Sequence, residues 1–491
     1  MANTALDTDV LIVGAGPVGL FLANECARRG LRWRIIEEHP SQSEYSKALA
    51  IFPRTLEIFD MAGIVAPFLE VANRVTSVAV MTHERALAHM RFAPEESPYA
   101  FIAMVPQDVT EKLLVEALRR KGGEVEYETK FVSAKQQEDS VSVTLERRGK
   151  PFEVQASFVV GCDGAHSAVR HQLNLPFEGA EYKGSFLLAD IETNQILPAD
   201  EMQLCPSELG AVAIFPMSSN HRRVVATIEN SEGDAPSLDL VRKVLAQRAP
   251  SGIQALALNW SSYFRIHHRL ASRMREGRIF IAGDAAHIHS PFGGQGMNTG
   301  LHDAWNLVWK LDLFLHGHGN QELLDSYSAE RLPVIKNVIE TTDRLTKVMG
   351  TPNKFAQALR NTVIPMVSHL APFQHAFVER LSELGIAYQG SPIVEGPGKR
   401  YFNNSLRGGN GIRSHFLLIV DDGADSSTKE AAERLSASLR DIVELRLLPG
   451  HDIILVRPDG YIASSAHSSR GITELSSVRS LLERQTNSLA A

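Results

Sequence analysis

Residues 10–38 read VLIVGAGPVGLFLANECARRGLRWRIIEE, and the order of residue types within them decides the fold. An apolar run, Val10 to Val13, meets Gly14, Gly16 and Gly19. A helix-like stretch then ends at Gly30, and a second apolar run, Trp33 to Ile36, is tipped by Glu37 and Glu38. Strand, tight turn, helix, strand and acid, in that order, is what a dinucleotide requires. Gly14 lets the chain turn sharply, Gly16 brings bare backbone up to a pyrophosphate, and Gly19 lets the helix pack closely on the strand. On this reading a side chain at Gly14 would occupy the place of the pyrophosphate. The helix, opened by Pro17 and Val18, offers unpaired N–H groups to the phosphate charge. Glu37 stands where a carboxylate accepts hydrogen bonds from a ribose. A glycine-rich turn in some other α/β protein is the plainer alternative.

The chain of 491 residues is too long for one ordinary core and implies two or three domains. Its net charge of −7, from 50 basic and 57 acidic residues, argues against a nucleic-acid partner. Cys26, Cys162 and Cys205 form neither a CxxC pair nor a metal-ligand spacing. They read as small buried apolar residues in a reducing compartment, and no metal site is expected. The first nine residues lead straight into a strand, so no signal peptide is expected and a cytoplasmic location is. No apolar run approaches the roughly 20 residues of a membrane span. Sequons at Asn259 and Asn403 are then chance. Residues 389–398, rich in Gly, Ser and Pro, read as a linker and domain boundary.

Two further motifs lie far apart. In SFVVGCDGAHSAVRHQL (157–173), Phe158 to Val160 read as a short buried strand, Asp163-Gly164 as a turn, and Ser167 onward as a helix. In GRIFIAGDAAHIHSPFGGQGMNTGLHDAWNLVWKL (277–311), Ile279 to Ala282 form a strand with Gly283-Asp284 at its end. A glycine-rich loop from Pro291 to Asn298 follows, and a helix runs from about Thr299. Such a loop brings backbone N–H groups against a polar ring, and an aspartate at a strand tip suits a polyol chain.

Together and in this order the three motifs closely resemble those of the class A flavin-dependent aromatic hydroxylases, the FAD monooxygenases of the para-hydroxybenzoate hydroxylase type. The resemblance covers roughly residues 8–335. It includes SKALAIFPRTLEIFD (46–60), VPQ (105–107) and SYSAERLP (326–333). It extends to the longer phenol hydroxylase-like and polyketide hydroxylase subgroup, which carries a C-terminal thioredoxin-like domain. HFLLIVDDG (415–423) and DIILVRPDGYIA (452–463) fit strands of such a domain. The implied fold is α/β. A Rossmann-like FAD-binding domain comes from residues 1–75, 105–180 and 270–335, with an inserted antiparallel-sheet substrate domain from 76–104 and 181–269. A helical segment and linker (336–397) and a thioredoxin-like domain without CxxC (398–491) follow. Without cysteines that last domain has no redox role, which leaves packing or dimerisation.

The resemblance also implies roles. Gly14, Gly16, Pro17, Val18, Gly19, Glu37 and Glu38 would bind the ADP half of FAD, and Asp163 with Arg170 would serve FAD and NAD(P)H. Gly283 and Asp284 would hold the ribityl chain. Pro291, Gly294, Gly296, Met297 and Asn298 would cradle the flavin ring, with backbone N–H groups near its O2/N3 edge. Gln107 would touch the middle of the cofactor. Lys47 stands where many relatives have Arg and lacks the bidentate fork. NADPH or NADH would bind without a domain of its own, since GGNG (408–411) lacks both helix and acid. The implied reaction hydroxylates a phenolic, quinol or polycyclic ring with O2 through a flavin C4a-hydroperoxide. Baeyer–Villiger insertion or epoxidation of a polyketide or quinone is the runner-up. A halogenase is disfavoured because Trp33, Trp260, Trp305 and Trp309 form no WxWxIP segment.

No acid–base residue is fixed by any motif. Residues 76–90 and 185–229 alternate as strands over the flavin, so Phe215, Pro216, Met217 and Pro291-Phe292 are candidate pocket lining. Tyr45, Tyr99, His221, His267 and His268 are candidates to meet a phenolic hydroxyl. His287 and His289 read as structural or flavin-side residues. Helix-like segments over 335–388 suggest packing on the substrate domain or on a second subunit.

Overall fold

The computed structural model describes residues 6–43, 46–92, 96–181, 184–194, 197–229, 231, 233–265, 267–290, 293–349, 353–409, 415–450, 452–466 and 471–486. Tyr45, Pro291, Phe292 and residues 410 and 411 of the GGNG run lie outside them.

The first sheet has the path Arg275–Glu276, Ile279–Ile281, Lys150–Gly161, Thr8–Val13, Trp33–Ile36. Its four inner and edge strands from Ile279–Ile281 to Trp33–Ile36 are parallel neighbours. Val10–Val13 and Phe158–Gly161 are near-continuous apolar runs because helices or strands cover both faces there. The register sets Val13 beside Gly161, and Gly161 beside Ile281. All three motifs therefore leave the sheet at the same edge, where strands of an open α/β sheet place a ligand. The strand expected over Phe158 to Val160 spans Lys150–Gly161 and begins in a hairpin with Val141–Arg147. Its first half is largely open to solvent, so only the last turn before the motif carries a buried-strand pattern.

The second sheet runs Ala255–Phe264, Ser185–Thr193, His221–Ile228, Val212–Pro216, Glu201–Cys205, Ser77–Met81, Ala86–Arg91. It is antiparallel except where Glu201–Cys205 meets Ser77–Met81 in parallel. That pair is where two separate excursions of the chain join. One face is covered by the helix Leu238–Arg248. The other packs toward Leu49, Ala50 and Phe52 of the first unit. Strand Ala255–Phe264 escaped the sequence reading: it is only half-buried along its length, and its pairing slips register twice.

A third sheet, Val443–Leu448, Phe416–Asp421, Ile453–Val456, Ile462–Ala466, has one parallel and two antiparallel pairings. Helices Ser426–Ser438 and Gly471–Gln485 accompany it. The SYSAERLP stretch and the first of the expected helical segments form one helix, Gln321–Met349, that passes through Pro333. The residues read as a linker are pinned: Ser391 Oγ donates to Glu330 Oε1 at 2.6 Å, and Glu395 N to Ala463 O at 2.7 Å. Among the described residues no helix is long and apolar enough to cross a membrane.

Candidate cofactor and substrate site

The glycines of the first motif divide by what a Cβ would meet. At Gly14, with φ +100°, it would lie 2.5 Å from the carbonyl oxygen of Cys162. At Gly19 it would lie 2.0 Å from the oxygen of Gly14. At Gly16 it would meet nothing within 4 Å. So a side chain at Gly14 is excluded by the strand carrying the second motif, which corrects the reason expected from sequence, and Gly16 alone faces open space. Gly16 is also the N-cap of the helix Pro17–Arg29 and supplies no side-chain cap, so the first-turn N–H groups stay available. Val18 packs on the third motif, since a Cβ on Gly283 would meet its Cγ2 at 3.0 Å. Glu37 Oε2 accepts from Ala15 N at 2.9 Å and Oε1 from His39 N at 3.1 Å, which fixes the carboxylate across the turn. Glu38 is exposed beside it.

Gly283–Ala285 form a tight turn with Gly283 at φ +61°. It is held from behind by Asp303, whose Oδ2 accepts from Gly283 N at 3.0 Å and contacts His287 Nε2 at 2.7 Å. Asp303 Oδ1 accepts from Arg331 Nε at 2.7 Å. Burial opposes ionisation of Asp303, but Arg331 and His287 outweigh it and hold its pKa below the ordinary carboxylate value. His287 is thus a structural residue. Asp284 points the other way. It is exposed and makes no side-chain hydrogen bond among the described residues, yet the protein ringing it raises its pKa, against the pull of His287 and Lys47.

The helix after the third motif begins at Gly296, not near Thr299, and runs to Leu315. Gly296, Met297 and Asn298 are therefore its first turn, whose N–H groups lack intrahelical acceptors. The Asn298 side chain is spent on the scaffold: Oδ1 accepts from Phe52 N at 3.0 Å, and Nδ2 donates to Ala50 O at 2.9 Å and to Gly294 O at 3.2 Å. Gly294 turns with φ +63°. Burial and then His287 push the His289 pKa down to about 4. Its Nδ1 lies 3.2 Å from the Ser290 carbonyl and so carries the proton, while Nε2 has no partner among the described residues. That lone pair faces Gly296: a Cβ there would be 3.6 Å away.

In the second motif Asp163 accepts from Ser167 Oγ at 2.6 Å and Val169 N at 3.1 Å, and so caps the short helix Ala168–Gln172. Arg170 is buried. Its guanidinium donates to Ala285 O and Ala165 O, both at 2.9 Å, and lies 3.9 Å over the Phe177 ring. It rivets the second motif to the third. Gln107 holds the loop at 46–48: its Oε1 accepts from Ala48 N at 3.1 Å, and its own N–H donates to Ser46 Oγ at 2.8 Å. Its Nε2 donates to Glu111 Oε1 at 3.0 Å. Burial, reinforced by Glu37 and Asp108, lifts Glu111 to about 7. Lys47 in this loop is exposed.

Sequence reasoning missed Asp303, Arg331, Glu111 and Arg223. Arg223 is buried, pairs bidentately with Asp190 at 2.7 Å for both bonds, and donates from Nη1 to the carbonyls of Lys47 and Ala48 at 3.1 Å each. The second sheet thereby grips the Lys47 loop. The available signal was an arginine pair in the apolar strand HRRVVATI.

On the face toward residues 49–52 the second sheet presents Phe186, Leu188, Met202, Phe215 and Val225. Met217, Trp260 and Phe264 pack beside them, with Phe377 and Leu381 from the helix Ala371–Ser382. Phe186 and Phe264 stack with centroids 5.5 Å apart. Tyr99 is elsewhere, donating to Asp60 Oδ2 at 2.6 Å. His221 sits at a strand start 3.5 Å from Glu192, and His268 pairs with strand Phe177–Glu181. Among the described residues no group of His, Cys, Asp and Glu could hold a metal.

An open Gly16, a carboxylate at Asp284 without a partner and a helix N-terminus at Gly296, backed by a buried, orphaned Nε2 at His289, gather beyond the ends of the first sheet's parallel strands, and these donors and acceptors fit FAD. Residues 7–342 match the family model described as FAD binding domain. A 6-methylpretetramide 4-monooxygenase of Streptomyces rimosus is 34% identical over 79% of this chain and 71% of its own. A flavin-dependent monooxygenase of Mycobacteroides abscessus is 32% identical over 95% of this chain and 98% of its own. The solved OxyS anhydrotetracycline hydroxylase from Streptomyces rimosus superposes with a TM-score of 0.76 at 28% identity, over 94% of this chain and 96% of its own. The chain belongs to the FAD binding domain family and is an FAD-dependent aromatic monooxygenase.

Proposed function

We propose that the enzyme hydroxylates a phenolic ring within an extended, flat, apolar molecule, using NAD(P)H and O2. The observation that carries this reading is the sheet face described above: an aromatic and methionine surface, with Phe186 stacked on Phe264, turned toward the residues that anchor the third-motif helix. Such a face gains its affinity from buried ring area and makes few polar demands. That one similar protein is named for 6-methylpretetramide and another for anhydrotetracycline supports the same class.

Bound FAD, reduced by NAD(P)H, supplies activated oxygen, of which one atom enters the ring and the other leaves as water. The remaining work belongs to the chain. Gly14, Gly16, Pro17, Val18, Gly19, Glu37 and Glu38 hold the ADP half, with charge stabilised by helix N–H groups. Asp284 accepts from the ribityl chain. The N-terminus of the third-motif helix would offer partial positive charge to a bound flavin. Lys47, carried by a loop fixed from both sides by Gln107 and Arg223, adds an exposed cation. Asp163 and Arg170 shape the joint between the motifs. The sheet face and the helices above it exclude water from the reacting ring.

The domain limits given from sequence are retained in this reading. The βαβ then ββα order of the third sheet and its helices supports a thioredoxin-like unit. Burial pushes the thiols of Cys26, Cys162 and Cys205 above their ordinary range, which suits a reducing cytoplasm. A homodimer is compatible with the exposed apolar residues Leu359, Met366 and Leu370. The test is NAD(P)H oxidation by the purified yellow protein against a panel of phenols, quinols and polycyclic aromatics. A polycyclic phenol is expected to stimulate oxidation and return a product one oxygen heavier. Stimulation by small phenols alone would refute the extended substrate.

A further inference from the structure

The residues joining the C-terminal sheet to the rest of the molecule have no part in the reading so far. Arg457-Pro458-Asp459-Gly460 form the turn between strands Ile453–Val456 and Ile462–Ala466. A turn of this composition normally stands in water. Here Arg457 and Asp459 are fully buried. Arg457 donates from Nη2 to Glu330 Oε2 at 2.9 Å, pairs through Nη1 with Glu330 Oε1, and donates from Nε to Asp459 Oδ1 at 3.0 Å. Glu330 also accepts from Lys310 Nζ and Asn306 Nδ2, both at 2.8 Å. The Asp459 carbonyl accepts from Trp305 Nε1 at 2.9 Å and from Arg54 Nη2 at 3.2 Å. The Arg457 guanidinium lies 5.3 Å from the Trp309 ring centre.

Two buried cations, Lys310 and Arg457, balance two buried anions, Glu330 and Asp459. Trp305, Asn306, Trp309 and Lys310 all belong to the third-motif helix, the one whose first turn is Gly296 to Asn298. Ten residues separate Gly296 from Asn306, about 15 Å of helix. A rigid helix gripped at that distance carries any axial shift or rotation to its N-terminus. Apolar packing alone would leave sliding along the axis weakly opposed, because dispersion is non-directional. Directional hydrogen bonds from Trp305, Asn306 and Lys310 of the helix oppose it, and their acceptors, the Asp459 carbonyl and the Glu330 carboxylate, are held in place by the Arg457 fork.

The geometry points to Arg457 and Asp459 as positioning residues for the oxygenation: the C-terminal unit inserts a charged turn that sets where the N-terminus of the third-motif helix stands against the flavin. The inference rests on the reading of that N-terminus as the flavin-edge site.

The test uses full-length holoenzyme carrying R457K, D459N or G296A. R457K keeps the charge and loses the fork. G296A places a methyl at the flavin edge with an ordinary 3.6 Å contact to His289. Three quantities are read beside thermal unfolding: the FAD dissociation constant, the visible flavin spectrum, and the share of NAD(P)H oxidation that ends as hydrogen peroxide. R457K and D459N are expected to alter the flavin spectrum, weaken FAD about tenfold and raise the peroxide share. Turnover should fall toward the roughly hundredfold loss that ångström-scale misplacement brings. Should D459N fail to fold, R457K decides. If both lower the unfolding temperature only, while G296A changes all three quantities, the turn is structural and the inference falls. If G296A also changes none of them, the flavin-edge reading falls first.

Discussion

Alanine at each glycine of the first motif separates fold from cofactor. At Gly14 the added methyl would meet the Cys162 carbonyl at 2.5 Å, in backbone held at φ +100°. The left-handed conformation costs about 1–2 kcal/mol for a side-chain residue, and overpacking against backbone adds about 1–3 kcal/mol. G14A should therefore destabilise the FAD-free protein by roughly 2–5 kcal/mol, a large part of an ordinary folding free energy. G19A, with its methyl 2.0 Å from the Gly14 oxygen, belongs at the upper end of the overpacking range, about 3 kcal/mol. G16A meets no protein atom and should leave the FAD-free protein within about 0.5 kcal/mol. On the proposed reading its methyl instead stands where the pyrophosphate approaches. Losing one hydrogen bond to a charged group costs about 1.5–3 kcal/mol, so its FAD dissociation constant should rise roughly 10- to 150-fold. Denaturant unfolding of the three FAD-free variants, with fluorescence titration by FAD, reads both quantities. A G16A protein that binds FAD normally, or that unfolds as readily as G14A, refutes the assignment of the cleft.

Asp284→Asn should weaken FAD by about 1.5–3 kcal/mol in titrations while the FAD-free protein melts no lower at neutral pH, since the carboxylate makes no side-chain hydrogen bond among the described residues and its raised pKa means its charge is disfavoured by the fold. Glu111 is lifted to about 7, above its unfolded value, so the neutral form is favoured by folding and that stability fades as pH rises through 7. Glu111→Gln should then gain on the order of 3 kcal/mol over the native protein at pH 8.5 and nothing at pH 4, by unfolding of the FAD-free protein; equal gains at both would refute it. Arg223→Ala leaves Asp190 without its bidentate partner and frees the Lys47 loop. A loss of about 3–5 kcal/mol is expected in denaturant unfolding, and a loss under about 1 kcal/mol would show the pair to be solvated.

The parts legible in the sequence are those where backbone conformation dictates residue type. Gly14, Gly16 and Gly19 announced their turn, and Gly283-Asp284 announced the end of a strand. The reach of the third motif was misread because glycines at 293, 294 and 296 look like a loop. In fact Gly296 starts the helix, its lack of a Cβ leaving room beside His289. The polar clamps were less legible, because each joins positions distant in the chain. Asp303 meets Arg331 and Gly283, and Arg223 meets residues 47 and 48, and no local pattern encodes such pairings. The aromatic lining of the sheet was only partly legible. Phe215 and Pro216 stood out in an alternating strand, with Met217 beside them, whereas Trp260 and Phe264 sit on a half-exposed strand whose alternation is broken by register shifts.

The register of the first sheet also has a consequence for how the protein is made. Val13 waits for Gly161, and Gly161 waits for Ile281, so the central strand is covered only after more than half of the chain has left the ribosome. Until then a continuous apolar strand with free edges invites mispairing with other nascent chains. Pairings so distant in sequence make for slow folding. The proposed cradle for the cofactor is complete only once residue 298 is in place, and the buried turn at 457–460 is made later still. A complete site for FAD is thus a late product of synthesis, formed after the apolar strand has already been exposed to other chains.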